Sequence, residues 1–138
     1  MSIGAKMRVL IVEDNPLNLE LATDLLEAAG QTVCQARTAE EGLRLAQSAM
    51  PDVVLMDLGL PGMDGLAATK ALRANPVTKR LPIIALTAHA MKGDKQIILE
   101  AGCDGYLAKP IDTRTFAARI LSLVEGIKSR QPHLTQCP

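Results

Sequence analysis

Apolar residues fall in two kinds of segment that alternate along the chain. Val9-Leu10-Ile11-Val12, Val53-Val54-Leu55-Met56 and Ile83-Ile84-Ala85-Leu86 are short, continuous apolar runs. Strands buried on both faces have this pattern, which points to a parallel sheet covered by helices. Thr32 to Ala36 and Gly105 to Ala108 are weaker strand candidates, as expected at sheet edges. The segments between them follow a helical period. Pro16 to Ala29 carries Leu17, Leu21 and Leu25 on one spacing and Leu19, Ala22 and Leu26 on another, with Gly30 as the C-cap. Ala39 to Ala49 sets Leu43 and Ala46 together and is stopped by Pro51. Leu66 to Ala74 ends before Pro76, and Lys92 to Ala101 ends at Gly102. Asp112 to Ile127 takes Asp112 as N-cap and repeats Phe116, Ile120, Leu123, Val124 and Ile127.

Five β-then-α units therefore fill the chain and predict an open parallel α/β sheet, wound with helices on both faces through right-handed crossovers. At 138 residues the chain suits a single domain that buries roughly 68–70% of its unfolded surface. The expected organisation is a short N-terminal extension over residues 1–6, one domain over 7–127, and a loose, polar, proline-punctuated tail over 128–138. There is no internal repeat or low-complexity segment.

Composition narrows the function. Fifteen Lys and Arg balance fifteen Asp and Glu, so no global charge draws the chain to nucleic acid or anionic lipid. Tyr106 and Phe116 are the only aromatics, too few for a single-strand stacking platform. Cys34, Cys103 and Cys137 are scattered without a C-x-x-C, which argues against a disulfide framework or structural zinc; Cys103 reads as a small buried residue. His89 and His133 have no ligand-spaced partners. No signal peptide or run of ~18 apolar residues is present, so the expected setting is the cytoplasm.

The chemistry lies directly after the apolar runs, where open α/β sheets bind ligands. Glu13-Asp14-Asn15 follow the first strand and Asp57 the third, with Gly59-Leu60-Pro61-Gly62 behind it. Thr87-Ala88 follow the fourth and Lys109-Pro110 the fifth. Singly, each has a plain structural account. Asp14 or Asn15 caps a helix at Pro16, Asp57 opens a turn, Thr87 ends a strand and Lys109 is solvated. Together they bring three carboxylates, a hydroxyl and an ammonium to one crevice. Two carboxylates ~5 Å apart repel by roughly 3 kcal/mol at an effective dielectric near 20. Three such pairs approach the stability of a whole domain. Either one acid stays protonated or a hard divalent cation binds, and an all-oxygen site suits Mg²⁺. Nucleotide-binding glycine loops and a G-x-S-x-G nucleophile elbow are absent.

The acidic pair Glu13-Asp14, the segment from Met56 to Gly65, Thr87-Ala88 and Tyr106-x-x-Lys109-Pro110 resemble the receiver domain of two-component response regulators. The match spans about Met7 to Ile127. The resemblance implies a flavodoxin-like, doubly wound five-stranded sheet of order 2-1-3-4-5. It implies that Asp57 accepts a phosphoryl group from a histidine kinase or phosphotransfer protein. Glu13, Asp14, Asp57 and the backbone carbonyl of Gly59 would then hold Mg²⁺, for which Mn²⁺ can substitute. Thr87 and Lys109 would contact the phosphoryl oxygens, Tyr106 would be the rotating switch ring, and Lys109-Pro110 a cis peptide.

The same resemblance implies a signalling protein rather than an enzyme with an external substrate, its only catalysis being phosphorylation and dephosphorylation of Asp57. Its output would leave through the fourth helix, fifth strand and fifth helix toward a protein target, with the chain a monomer or weak dimer. First-helix residues such as Asn18 and Leu19 are the expected kinase contacts. His89 and Gly59 fall at variable positions that influence phosphoryl lifetime in relatives. The alternative is a receiver excised from a hybrid histidine kinase and acting as a phosphorelay intermediate.

Overall fold

A computed structural model describes residues 6–58, 65–88, 92–109 and 111–130. Five strands and five helices alternate: β1 (Arg8–Val12), α1 (Pro16–Ala28), β2 (Thr32–Ala36), α2 (Ala39–Ser48), β3 (Val53–Asp57), α3 (Gly65–Ala74), β4 (Ile83–Thr87), α4 (Lys92–Glu100), β5 (Gly105–Ala108) and α5 (Phe116–Arg130). The strands form one parallel sheet in the order β2-β1-β3-β4-β5. This is the expected order, and β2 and β5 take the edges.

The continuous apolar runs are explained by cover on both faces. Val9 to Val12 and all of β3 and β4 are buried, so successive side chains must suit a core whichever way they point. Val9, Ile11, Val53, Leu55, Ile84 and Leu86 pack with α1 and α5 on one face. Leu10, Val12, Val54, Met56, Ile83 and Ala85 pack with α2, α3 and α4 on the other.

The two leucine spacings in α1 resolve into one. Leu19, Ala22 and Leu26 are buried, whereas Leu17 is 75% and Leu21 37% exposed. Asn15 is the N-cap, its Oδ1 accepting from the Leu17 and Asn18 amides at 2.9 and 3.1 Å, with Pro16 at N1. At the other end Gly30 takes φ +91°, a left-handed conformation that favours glycine after a helix.

The last helix differs from expectation at both ends. Residues 113–115 form a turn and the α-helix starts at Phe116. Asp112 does not cap that helix directly. Its Oδ1 accepts from Arg114 N at 3.0 Å, and its carbonyl accepts from the Thr115 and Phe116 amides, so the side chain closes the preceding turn. The helix then continues to Arg130, three residues into the segment expected to be loose. Residues 131–138, with His133 and Cys137, lie outside the described residues.

Candidate functional site

Parallel strands deliver their C-terminal ends to one edge, and the site forms there. β1 releases Glu13 and Asp14, and the Glu13 amide stays tied to the Ala36 carbonyl at 3.0 Å. Asp57 is the last residue of β3, paired with Leu86. Thr87 ends β4, paired with Ala108. The Lys109 amide then donates to the Thr87 carbonyl at 2.8 Å, which fixes where its long side chain departs. Glu13, Asp57 and Thr87 are 2%, 3% and 6% exposed, a degree of burial seldom seen for acids without compensation.

One carboxylate oxygen from each of Glu13, Asp14 and Asp57 lies within 4.8 Å of the other two. Lys109 Nζ donates to Asp57 Oδ1 at 2.9 Å and sits 3.1 Å from Glu13 Oε1. The second approach has the distance of an ion pair without the alignment of a hydrogen bond, and Glu13 Oε1 is buried with no hydrogen-bond partner. Burial, followed by the neighbouring Asp57 carboxylate, pushes the Glu13 carboxyl up from 4.5 to about 7. Burial alone would lower the pKa of the Lys109 ammonium. Its hydrogen bond to Asp57, with the attraction of Asp57 and Glu13, outweighs that and raises it. Among the described residues one lysine faces three carboxyl groups. A buried carboxylate oxygen without a donor, facing two further carboxylates, fits a hard divalent cation such as Mg²⁺. A cavity of about 370 Å³ opens over Glu13, Asp14, Asp57, Thr87 and Lys109, so the cluster is accessible.

Of the residues expected here, Glu13, Asp14, Asp57, Thr87 and Lys109 come together. Tyr106 stands beside them, half-buried on β5 and paired with Ala85. Ala85 and Thr87 alternate onto the same face of β4, so Thr87 and Tyr106 share a face of the sheet. Gly59, His89 and Pro110, and with it the expected cis peptide, lie outside the described residues. Leu19 is 5% exposed and unavailable to a partner, because it faces the core. The exposed large apolar residues of α1 are Leu17 and Leu21, with Asn18 half-buried.

Two neighbours were not anticipated. A Cβ on Gly65 would lie against the Asp57 carbonyl oxygen and 2.8 Å from Leu58 Cα, so α3 can approach β3 this closely only through a glycine. Lys95 on α4 places its Nζ 5.8 Å from the centre of the Tyr106 ring. Neither contact has a marker in local spacing, since each joins elements set side by side only by the fold.

Comparison with known proteins supplies the family. The model of the response regulator receiver domain matches residues 9–121. The chain belongs to the response regulator receiver family. The polar-differentiation response regulator DivK of Brucella ovis is 45% identical over 114 residues, covering 83% of this chain and 93% of the relative. A putative response regulator from Chloroflexus aurantiacus superposes with a TM-score of 0.81 at 35% identity, over 88% of this chain and 99% of that one. The receiver domain of a sensor histidine kinase from Pseudomonas aeruginosa, solved with a magnesium ion coordinated in its active-site cleft, has a TM-score of 0.79 at 36% identity, again over 88% and 99%. As a receiver domain the chain serves two-component signalling, in which such domains accept phosphoryl groups, generally with Mg²⁺, and work with kinases and downstream targets. Among the described residues no helix is long and apolar enough to cross a membrane.

Proposed function

We propose that Asp57 is the phosphoacceptor of this receiver domain, supplied by a histidine kinase or a histidine phosphotransfer protein. The observation that carries this reading is the Lys109 ammonium, 2.9 Å from Asp57 Oδ1 inside a cluster of acids. Of the two carboxylates it faces, the ammonium is hydrogen-bonded to Asp57, which supports reception of an anionic group there.

In the forward step an oxygen of the Asp57 carboxylate attacks phosphorus. The bond from phosphorus to the donor nitrogen breaks, and the departing imidazole keeps the electron pair and takes a proton from solvent. Lys109 neutralises charge on the phosphoryl oxygens, and the Thr87 hydroxyl donates to one of them. Glu13, Asp14, Asp57 and, by family analogy, the Gly59 carbonyl would hold Mg²⁺ or Mn²⁺, which would supply further charge neutralisation on the phosphoryl group. Water attack on phosphorus reverses the modification and regenerates the Asp57 carboxylate. The chain's own chemistry is confined to Asp57, without an external substrate.

Movement of Thr87 toward the phosphoryl group makes room on the face it shares with Tyr106, and the ring turns inward. The signal leaves through α4, β5 and α5 to a protein target in the cytoplasm. Exposure of Ile97 (52%) and Leu99 (44%) on α4 supports that face. The donor side is supported by an apolar cavity of about 290 Å³ beside the site, lined by Asn18, Leu21, Ala88, Lys109 and Ile111. This cavity, rather than Leu19, is the surface available to a kinase.

Intact mass spectrometry after incubation with acetyl phosphate and Mg²⁺ tests the assignment. Wild type should gain one phosphoryl group, lost on adding a chelator beforehand, and Asp57→Asn should gain none. Equal phosphorylation of the two proteins would overturn it.

A further inference from the structure

Tyr106 is the chain's only tyrosine, and its surroundings are lopsided. On the inner side it packs against the apolar cluster that includes Ala85, Ile98 and Cys103. On the outer side the exposed Lys95 holds its ammonium 5.8 Å from the ring centre. A cation over an aromatic face is attracted by the ring quadrupole. The two residues belong to adjacent elements, Lys95 to the first half of α4 and Tyr106 to β5, so the contact bridges them.

We propose that Lys95 is a positioning residue for Tyr106, holding the ring in its half-exposed resting rotamer and so setting the threshold for the inward turn. The inference rests on the reading of Tyr106 as the switch ring and adds what restrains it. A cation–π contact at an exposed site favours the contacted rotamer by about two- to fivefold over the alternative. In this proposal the inward turn takes the ring away from the ammonium of the exposed Lys95. The contact therefore acts on one side of the equilibrium only, as any switch bias must. Removing the charge should raise the inward population before any phosphorylation and hasten phosphorylation by a small donor, since the receptive conformation is populated more often.

The single tyrosine makes the test direct. Protein labelled with 3-fluorotyrosine gives one ring environment to follow by ¹⁹F NMR, in the resting state and with acetyl phosphate and Mg²⁺. Three 138-residue chains are compared: wild type, Lys95→Met, which keeps an apolar stem over the ring, and Lys95→Arg, which keeps the cation. The resting resonance of Lys95→Met should move part of the way to the phosphorylated position, with phosphorylation about two- to fivefold faster. Lys95→Arg should stay with wild type in both measurements. Coincident resting resonances for Lys95→Met and wild type, in a protein whose resonance does move on phosphorylation, would overturn the role of Lys95 alone. A wild-type resonance unmoved by phosphorylation, with the added phosphoryl confirmed by mass, would overturn the switch reading of Tyr106 and the proposal with it.

Discussion

Arg73 Nη2 on α3 lies 2.7 Å from Asp104 Oδ2, and that same carboxylate oxygen accepts the Ile83 amide at 2.9 Å. The guanidinium also donates through Nε to the Gly102 carbonyl at 2.9 Å and through Nη1 to the carbonyls of Lys79 and Leu81 at 2.9 and 2.6 Å. One side chain thus ties α3 to the connections that enter β4 and β5. Gly102, at φ +110° and with a would-be Cβ 2.8 Å from Arg73 Cγ, is shaped to let it pass.

Arg73→Ala should therefore destabilise the protein by about 2–4 kcal/mol, because it strands several acceptors and a partly buried carboxylate. Arg73→Lys should recover less than half of that, since an ammonium cannot reproduce the planar fork. Urea unfolding curves of the three proteins measure both effects.

Glu13 makes the metal-free protein sensitive to pH. Its folded value of about 7 stands above the ordinary 4.5, first through burial and then through Asp57. A carboxyl raised on folding contributes stability that is fully present below 4.5 and is lost as pH rises through 7. In a chelator, wild type should lose stability relative to Glu13→Gln between pH 5 and 8. Mg²⁺ should restore wild type at pH 8 and leave Glu13→Gln much less affected. Parallel pH profiles for the two proteins would contradict the assignment.

Asp57→Asn should do more than remove the proposed phosphoacceptor. With one charge gone from the acid cluster, the metal-free protein should be more stable by on the order of 1 kcal/mol, or roughly 3–5 °C in Tm. The increment that Mg²⁺ gives wild type should shrink. Calorimetry with and without the ion tests both statements.

Two glycines should respond to alanine with opposite signs. At Gly65 the new methyl group meets the backbone of Asp57 and Leu58, which cannot move without shifting the carboxylate. Gly65→Ala should cost about 1–3 kcal/mol and slow phosphorylation by acetyl phosphate. At Gly126, within α5, a Cβ meets nothing within 4 Å, and Gly126→Ala should stabilise by about 0.5–1 kcal/mol. Thermal melts give the sign of each.

How much of this was legible in the residues depended on whether the cause was local. The central strands announced themselves because burial on both faces leaves an unbroken apolar run. In α1 the period showed a helix, yet Leu17 and Leu19 both lay on plausible apolar stripes. Only packing against β1 and α5 decides which one faces inward, and so the expected kinase contact Leu19 proved to be core. Asp112 is a good cap in isolation and so draws the expected start of α5 to itself, while in the structure its side chain closes a turn ahead of Phe116. Glu13, Asp14, Asp57, Thr87 and Lys109 were legible together because each stands at or just past the C-terminal end of a strand. The Arg73 network was not, since its partners lie 6 to 31 residues away and nothing in their spacing marks them.

Asp57 is still inside the ladder when its side chain enters the site: it pairs with Leu86, and the next amide, Leu58, bonds the Leu86 carbonyl at 3.1 Å. Its backbone is thereby moored in the middle of the sheet, with β1 and β4 on either side. A group attached to that carboxylate cannot be accommodated by a retreat of its own strand, so the displacement passes to Thr87 and whatever lies beyond it. On the proposed reading, Asp57 is the fulcrum of the molecule, and its rigidity lets a change at one side chain be passed outward rather than absorbed.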